Sequence, residues 1–213
     1  YSGRRPNGLY IPRFRNLGDA ATKRTDYLRG FGYQGGAGRP NWDRNLHAAG
    51  LGGARKDELS QPGPWMVRIG GFGVILPHAD NRVTLNRDRK DRYGLPTLRF
   101  DAGLRENETA MRRDMKTAAV EMLEAAGFTN VIGYETPSPP GLGIHEMGTA
   151  RMGRDPKTSV LNAHNQVHEC RTGHVTDGAC MTSASCVNPS LTYMALTARA
   201  CAHAVEASRR GEL

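Results

Sequence analysis

The sequence predicts an α+β fold: an antiparallel sheet backed by a helix over residues 1–137, then a strand and a second helix within residues 138–213. Three observations carry this expectation. Short apolar runs follow one another too closely for crossover helices, which favours antiparallel pairing. One long stretch, Glu106 to Ala126, has apolar residues at helical period. A Pro-rich break at Thr136 to Gly141 precedes a change of composition and a sharply opened helix near the C-terminus.

From Tyr1 to Gln61 the chain mixes Gly, Pro, Arg and aromatic residues in short runs such as Leu9-Tyr10-Ile11-Pro12 and Tyr27 to Gly36, which read as short strands joined by irregular loops. Trp65 to Ile69 and Val74 to Leu76 read as strands on either side of Gly70-Gly71-Phe72-Gly73. Pro77 ends the second of them, Asp80-Asn81 makes a turn, and Arg82 to Leu85 and Leu95 to Phe100 continue the same sheet. In Glu106 to Ala126, Met111, Met115, Ala118, Met122 and Ala126 fall on one face, so an amphipathic helix packs this stripe in the core. Gly127 stands where a left-handed terminating residue belongs. Residues 141 to 187 are rich in Gly, Thr, Ser, His and Asn, with a strand expected around His174 to Asp177. The last helix opens with Asn188 as cap and Pro189 in its first turn, buries Leu191, Met194, Ala195, Ala198, Ala202 and Val205, and ends near Ser208.

Composition excludes several classes. The 213 residues are 38% hydrophobic and 23% charged, enough for a core and too mixed for a coiled coil or a fully disordered chain. No run of about 18 apolar residues exists, so no membrane span is expected, and a soluble protein, cytoplasmic or periplasmic, is the expectation. The net charge of +8 is dispersed, and no nucleic-acid motif accompanies it. Four Cys, at 170, 180, 186 and 201, are too few and too clustered for a disulfide framework. His164, His168, Cys170, His174, Cys180 and Cys186 lack a CxxC or other recurrent zinc spacing, so no metal site is expected. The chain opens at Tyr1 with neither an initiator Met nor a leader pattern, which predicts that it begins inside a longer protein.

Two stretches concentrate chemistry: Gly143 to Gly153, containing His145, and Val175 to Ala179 followed by Ser185 to Thr192. A His among Gly and small residues lets a ligand approach closely, and neutral imidazole accepts a proton near neutral pH. The same His fits a hydrogen-bonded turn. A helix opened at Asn188-Pro189 aims unpaired N–H groups and a positive dipole end at whatever lies before it, which suits an anion or an anionic ring. Asn188 equally fits a plain helix cap.

These strings, HEMGTARMG, VTDGA and NPSLTYMALTARA, resemble the C-terminal signature of the glucose–methanol–choline (GMC) oxidoreductases, in the branch of pyranose oxidase-like enzymes and the flavoprotein subunits of sugar or gluconate dehydrogenases. RPNGLYIPRFRN, GFGYQGG, LPHADNRVTLN and GLPTLRFD extend the resemblance over nearly the whole chain. Family members begin with a strand and a GxGxxG turn for the ADP half of FAD. This chain has none, because Gly70-Gly71-Phe72-Gly73 has the wrong spacing and precedes no helix.

The resemblance implies the C-terminal part of an FAD-dependent enzyme that oxidises a CH–OH group of a sugar or polyol. Residues 1–137 would be its substrate-binding domain, and residues 138–213 the catalytic segment that completes a Rossmann-like FAD domain. His145 matches the family's active-site base, and Asn188 matches the second member of the pair, which hydrogen-bonds the substrate oxygen. Asp177, Gly178 and Ala179 match the strand end beside the flavin's ribityl and pyrophosphate; Pro189 and Thr192 match the helix start that faces its pyrimidine side. Tyr33 and Gln34 fall in the substrate-binding part, where they suit sugar hydroxyls or ordinary loop packing. Oxygen, a quinone or a cytochrome subunit would accept the electrons. The alternative is a carbohydrate- or partner-binding fragment of the same fold that performs no chemistry.

Overall fold

The computed structural model describes residues 8–39, 52–60, 63–135, 140–141 and 144–213. The expected domain boundary at 137/138 lies outside these residues. The first sheet contains β1 (Leu9–Ile11), β2 (Phe31–Gly38) and β3 (Met66–Gly73), antiparallel, with β2 in the middle. In its register Gln34 stands opposite both Tyr10 and Gly70, and Tyr33 opposite Ile11 and Gly71. Between β2 and β3 lies α1 (Gly53–Ser60), a helix in a stretch read as strands and loops.

β3 runs straight through the glycines that were expected to divide two strands, and Val74 to Leu76 lie outside any strand. The reason is packing by α2 (Glu106–Ala125). A Cβ added at Gly71 would stand 2.0 Å from Met115 Sδ, and one at Gly73 would stand 2.8 Å from Met111 Cε. The glycines therefore remove side chains where the helix rests on the sheet, rather than turning the chain. Tyr27, Phe31, Tyr33, Met111 and Ala118 form the core at this contact, flanked by Phe14, Ile69 and Met115. The Tyr33 hydroxyl donates to the Met115 carbonyl at 2.6 Å. Asp114 ties the loop before β2 to the helix by accepting from Arg15 at 3.0 and 3.3 Å and from the Tyr27 hydroxyl at 2.5 Å.

Most of the stripe expected on α2 is used: Met111 and Ala118 are buried and Met115 and Met122 half-buried, whereas Ala126 lies exposed at the cap. Glu108, 1% exposed, accepts from the backbone N–H of Arg105 at 2.9 Å and of Leu76 at 3.1 Å. It thereby caps the helix and pins the chain leaving β3. Gly127, at φ 87°, ends the helix as expected, with the Phe128 N–H donating to the Leu123 carbonyl.

β4 (Arg82–Lys90) and β5 (Pro96–Asp101) pair only with each other, so the expected single sheet is instead a sheet and a separate ribbon. The Leu76–Glu108 bond draws the chain off the edge of β3 before β4 begins, and the turn closed by Asn81 N–H on the His78 carbonyl reverses it there. A third pair, β6 (Gln166–Val167) and β7 (Cys170–His174), replaces the strand expected at His174 to Asp177. A short surface hairpin needs no apolar alternation. Gln166 supports this one by donating its side-chain amide to the Arg171 carbonyl at 2.7 Å.

The last helix, α3, spans Ser190–Arg209. Its inward face differs from the expected one. Leu191, Met194 and Val205 are 79%, 68% and 49% exposed, whereas Ala200 and Ala207 are buried and Tyr193, Leu196, Thr197 and His203 half-buried. A helix that is Ala-rich all round offers two apolar faces, and tertiary contact selects between them. Among the described residues no helix is long and apolar enough to cross a membrane.

Candidate functional site

The two chemistry-bearing stretches lie side by side. Residues 146–152 run along 178–182, with the Ala150 N–H donating to the Ala179 carbonyl at 3.0 Å and the Met152 N–H to the Cys180 carbonyl at 2.9 Å. Asp177 is extended and its carboxylate accepts from the Ala179 N–H at 2.9 Å, capping a single 3₁₀ turn over Gly178–Cys180. Gly178 is buried where three elements meet. A Cβ there would lie 2.8 Å from the Tyr193 hydroxyl and 2.9 Å from the Glu146 carbonyl, so only glycine lets α3 and the His145 stretch close on this turn.

Asn165 holds the approach to that turn. It is fully buried with φ at 61°, and its backbone and side-chain amide both bond to Val175. Arg199 of α3 donates to its side-chain oxygen at 3.2 Å. Sequence reasoning passed over it, although an Asn tolerates the left-handed conformation better than most residues. Tyr193 also went unremarked; burial, then the neighbouring Asp177, pushes its phenol up and keeps it neutral.

His145 is half-buried, one residue before the Glu146 carbonyl that abuts Gly178. Among the described residues its side chain makes no hydrogen bond or ion pair. Asn188 is exposed and does not cap α3. Pro189, buried, occupies the cap position with φ −93° and ψ 5°, and no side chain caps this end. The first intrahelical bond is from the Tyr193 N–H to the Pro189 carbonyl. The N–H groups of Ser190, Leu191 and Thr192 are consequently open, and Thr192 itself is exposed.

The side-chain amide of Asn188 donates instead to Gln34 Oε1 at 3.4 Å, a contact across 154 positions of sequence. Cys186 anchors the same segment to the sheet: it is 7% exposed, and its thiol donates to the Gly30 carbonyl at 3.4 Å. Burial pushes this thiol's pKa up. Gln34 is thus part of the site, whereas its neighbour Tyr33 is buried in the core beneath α2. No hydrogen bond joins His145 to Asn188 among the described residues. What the fold brings together is the His145 stretch with Asp177, Gly178 and Ala179, and Asn188 with Gln34.

Comparison with known proteins follows the same segments. A family model described as GMC oxidoreductase, for the C-terminal domain, matches residues 77–197. Over 131 residues the chain is 39% identical to a 2-methyl-1,2-propanediol dehydrogenase of Mycolicibacterium austroafricanum, covering 61% of this chain and 23% of that protein. It is 31% identical over 147 residues to a C-glycoside 3-oxidase of Arthrobacter globiformis, covering 68% and 28%. It is 28% identical over 151 residues to a pyranose 2-oxidase of Lyophyllum shimeji, covering 68% and 22%. The chain spans about a quarter of the length of these relatives. With more than half of its residues inside the family match, and with the motif strings converging on the Gly178 turn, this chain belongs to the GMC oxidoreductase family.

Proposed function

We propose that this chain is the substrate-binding and C-terminal part of an FAD-dependent enzyme that oxidises a CH–OH group of a sugar or polyol. Residues 1–137 form the substrate-binding part, and residues 138–213 complete a Rossmann-like FAD domain. The observation that carries the reading is the convergence at Gly178, where the Glu146 carbonyl beside His145 and the Tyr193 hydroxyl of α3 leave no room for a side chain. The residues fit a flavin. The α3 N-terminus is uncapped and presents open N–H donors at Ser190 to Thr192, which suit negative charge, and Asp177 beside the tight Gly178–Ala179 turn offers an exposed carboxylate that suits ribityl hydroxyls.

Asp177, Gly178, Ala179, Pro189 and Thr192 would hold the cofactor. FAD bound there would supply the hydride acceptor. His145, whose side chain is unpaired among the described residues, takes the proton from the substrate hydroxyl. The Asn188 amide hydrogen-bonds the same oxygen, stabilising the negative charge that develops as the proton leaves. An alcohol C–H is a poor hydride donor until its oxygen gains that charge, so the two residues act on the oxygen to activate the carbon. The electron acceptor of the complete protein would be oxygen, a quinone or a cytochrome subunit.

The test uses the complete protein with FAD bound. In anaerobic stopped-flow measurements, His145→Ala should slow flavin reduction by the sugar at least about a hundredfold, the usual scale for losing a general base. An unchanged rate removes His145 from this role. Asn188→Ala should slow the same step while the flavin stays bound.

A further inference from the structure

Beside Asn188 lies a cleft of about 380 Å³ whose walls include Tyr10, Arg13, Arg29, Ser183, Ser185 and Cys186. The charge of its described lining is one-sided. Among the described residues no carboxylate lines it, and neither Arg13 nor Arg29 makes a hydrogen bond or ion pair with its side chain. The neighbouring arginines contrast with them: Arg15 is held by Asp114, and Arg24 by Asp26 and Asp114. Asp26 and Asp114 are engaged in this way, and Arg13 and Arg29 are left lining the cavity.

The local structure fixes the backbone of Arg29 and the course of the Arg13 stem. Arg29 is one of the few non-glycine residues with positive φ, at 69°, and its carbonyl accepts from the Asn16 side chain. Such a conformation is strained for a residue with a Cβ and persists only where the surroundings over-determine it. Arg13 lies along Gly30, where an added Cβ would stand 2.7 Å from its Cδ, so the missing side chain makes room for its stem. The cleft also joins the proposed reaction centre. Cys186 is two residues from Asn188, and Tyr10 stands opposite Gln34, which accepts the Asn188 amide.

We infer that this cleft binds the anionic end of the substrate, so that the enzyme acts on a polyol carrying a carboxylate or phosphate group. This inference rests on the oxidoreductase reading and names the substrate class of the same site. Guanidiniums recognise both oxyanions through paired N–H donors, and the hydroxyls of Ser183, Ser185 and Tyr10 suit the carbinol groups between the anion and the oxidised carbon.

The experiment is calorimetric binding to the complete protein of three probes: gluconate, glucose 6-phosphate and glucose. At least one anion should bind more tightly than glucose, more weakly as salt rises, and about tenfold or more weakly in Arg13→Gln and in Arg29→Gln, with glucose affinity unchanged. Gluconate alone would identify a sugar acid, glucose 6-phosphate alone a sugar phosphate. Equal binding of all three, or anion binding indifferent to both substitutions, overturns the inference. Both positions are exposed, and Arg13→Lys and Arg29→Lys, which keep the charge, should retain part of the affinity. The two readings fail separately. Oxidation of neutral sugars without anion binding refutes only the cleft, whereas Arg-dependent anion binding without any alcohol oxidation refutes only the redox function.

Discussion

Asn165 closes both backbone polar groups of Val175: its side-chain amide donates to the Val175 carbonyl at 3.0 Å, and its own carbonyl accepts the Val175 N–H at 3.0 Å. The same residue takes a hydrogen bond from Arg199, so one buried side chain ties the segment leading to Asp177 to α3. Asn165→Ala leaves the Val175 carbonyl and Arg199 without this partner and puts a Cβ residue without Asn's local bonding at φ 61°. We expect a loss of about 3 kcal/mol in urea unfolding, from an unsatisfied buried group plus left-handed strain. Asn165→Gly, which removes only the side-chain bonds, should lose about 1 kcal/mol less. A change under about 0.5 kcal/mol for the Ala variant would remove Asn165 from this role.

The glycines of the first sheet divide into two kinds. At Gly71 an added Cβ meets Met115, a flexible side chain; at Gly35 it would stand 2.0 Å from the backbone carbonyl oxygen of Arg68. Gly71→Ala should therefore cost about 1–3 kcal/mol, the range for overpacking. Met115→Ala in the same chain should recover part of that loss. Gly35→Ala should cost more and find no rescue at Met115. Thermal unfolding of the four variants checks this, and rescue of both glycine substitutions alike would refute it.

Glu108 makes part of the stability depend on pH. Burial by itself raises a carboxyl pKa, but the N–H groups of Leu76 and Arg105 and the Asn107 amide together outweigh it and hold Glu108 below its ordinary value. A depressed folded-state pKa means stabilisation that is present above the unfolded value and lost as pH falls through the folded one. Wild-type stability should thus drop as the solution is acidified below the usual carboxylate range. Glu108→Gln should be less stable at pH 7 and show a flatter acid limb in denaturant titrations across pH. An equally steep limb in the variant would assign the acid sensitivity elsewhere.

Three of the thiols should react in a fixed order. Burial pushes Cys180 and Cys186 up, whereas the Thr172 hydroxyl and nearby N–H groups hold the exposed Cys170 below its ordinary value. Thiolate is the reactive form, so native-state alkylation followed by peptide mass mapping should mark Cys170 well before Cys180 or Cys186. Labelling of Cys186 at a comparable rate would show that its segment does not stay on β2.

Much of this architecture is legible in the residues, and the failures have identifiable physical causes. The spacing of Met111, Met115 and Ala118 reports one face of α2 because only one of its faces is apolar. α3 has apolar residues on both sides, so its position is readable and its inward face is not. Gly70 to Gly73 looked like a break because the signal for a turn and the signal for a helix lying close on a strand are the same residue. The motif strings single out His145, Asp177 and Asn188 because each lies in a continuous run of sequence. The partner of Asn188 lies 154 positions away in β2, and Arg13 and Arg29 reach the cleft through tertiary folding that no local pattern encodes.

The outward band of α3, with Leu191, Met194 and Val205 all facing water, affects how the isolated polypeptide behaves at the bench. A chain carrying eight surplus positive charges repels its copies, and that repulsion fades as salt is added. Adhesion through greasy helix surface responds differently, growing with warming near room temperature and with sulfate. Light scattering that climbs with temperature and with sulfate, but stays level in dilute chloride, would mark this band as what makes the isolated material sticky.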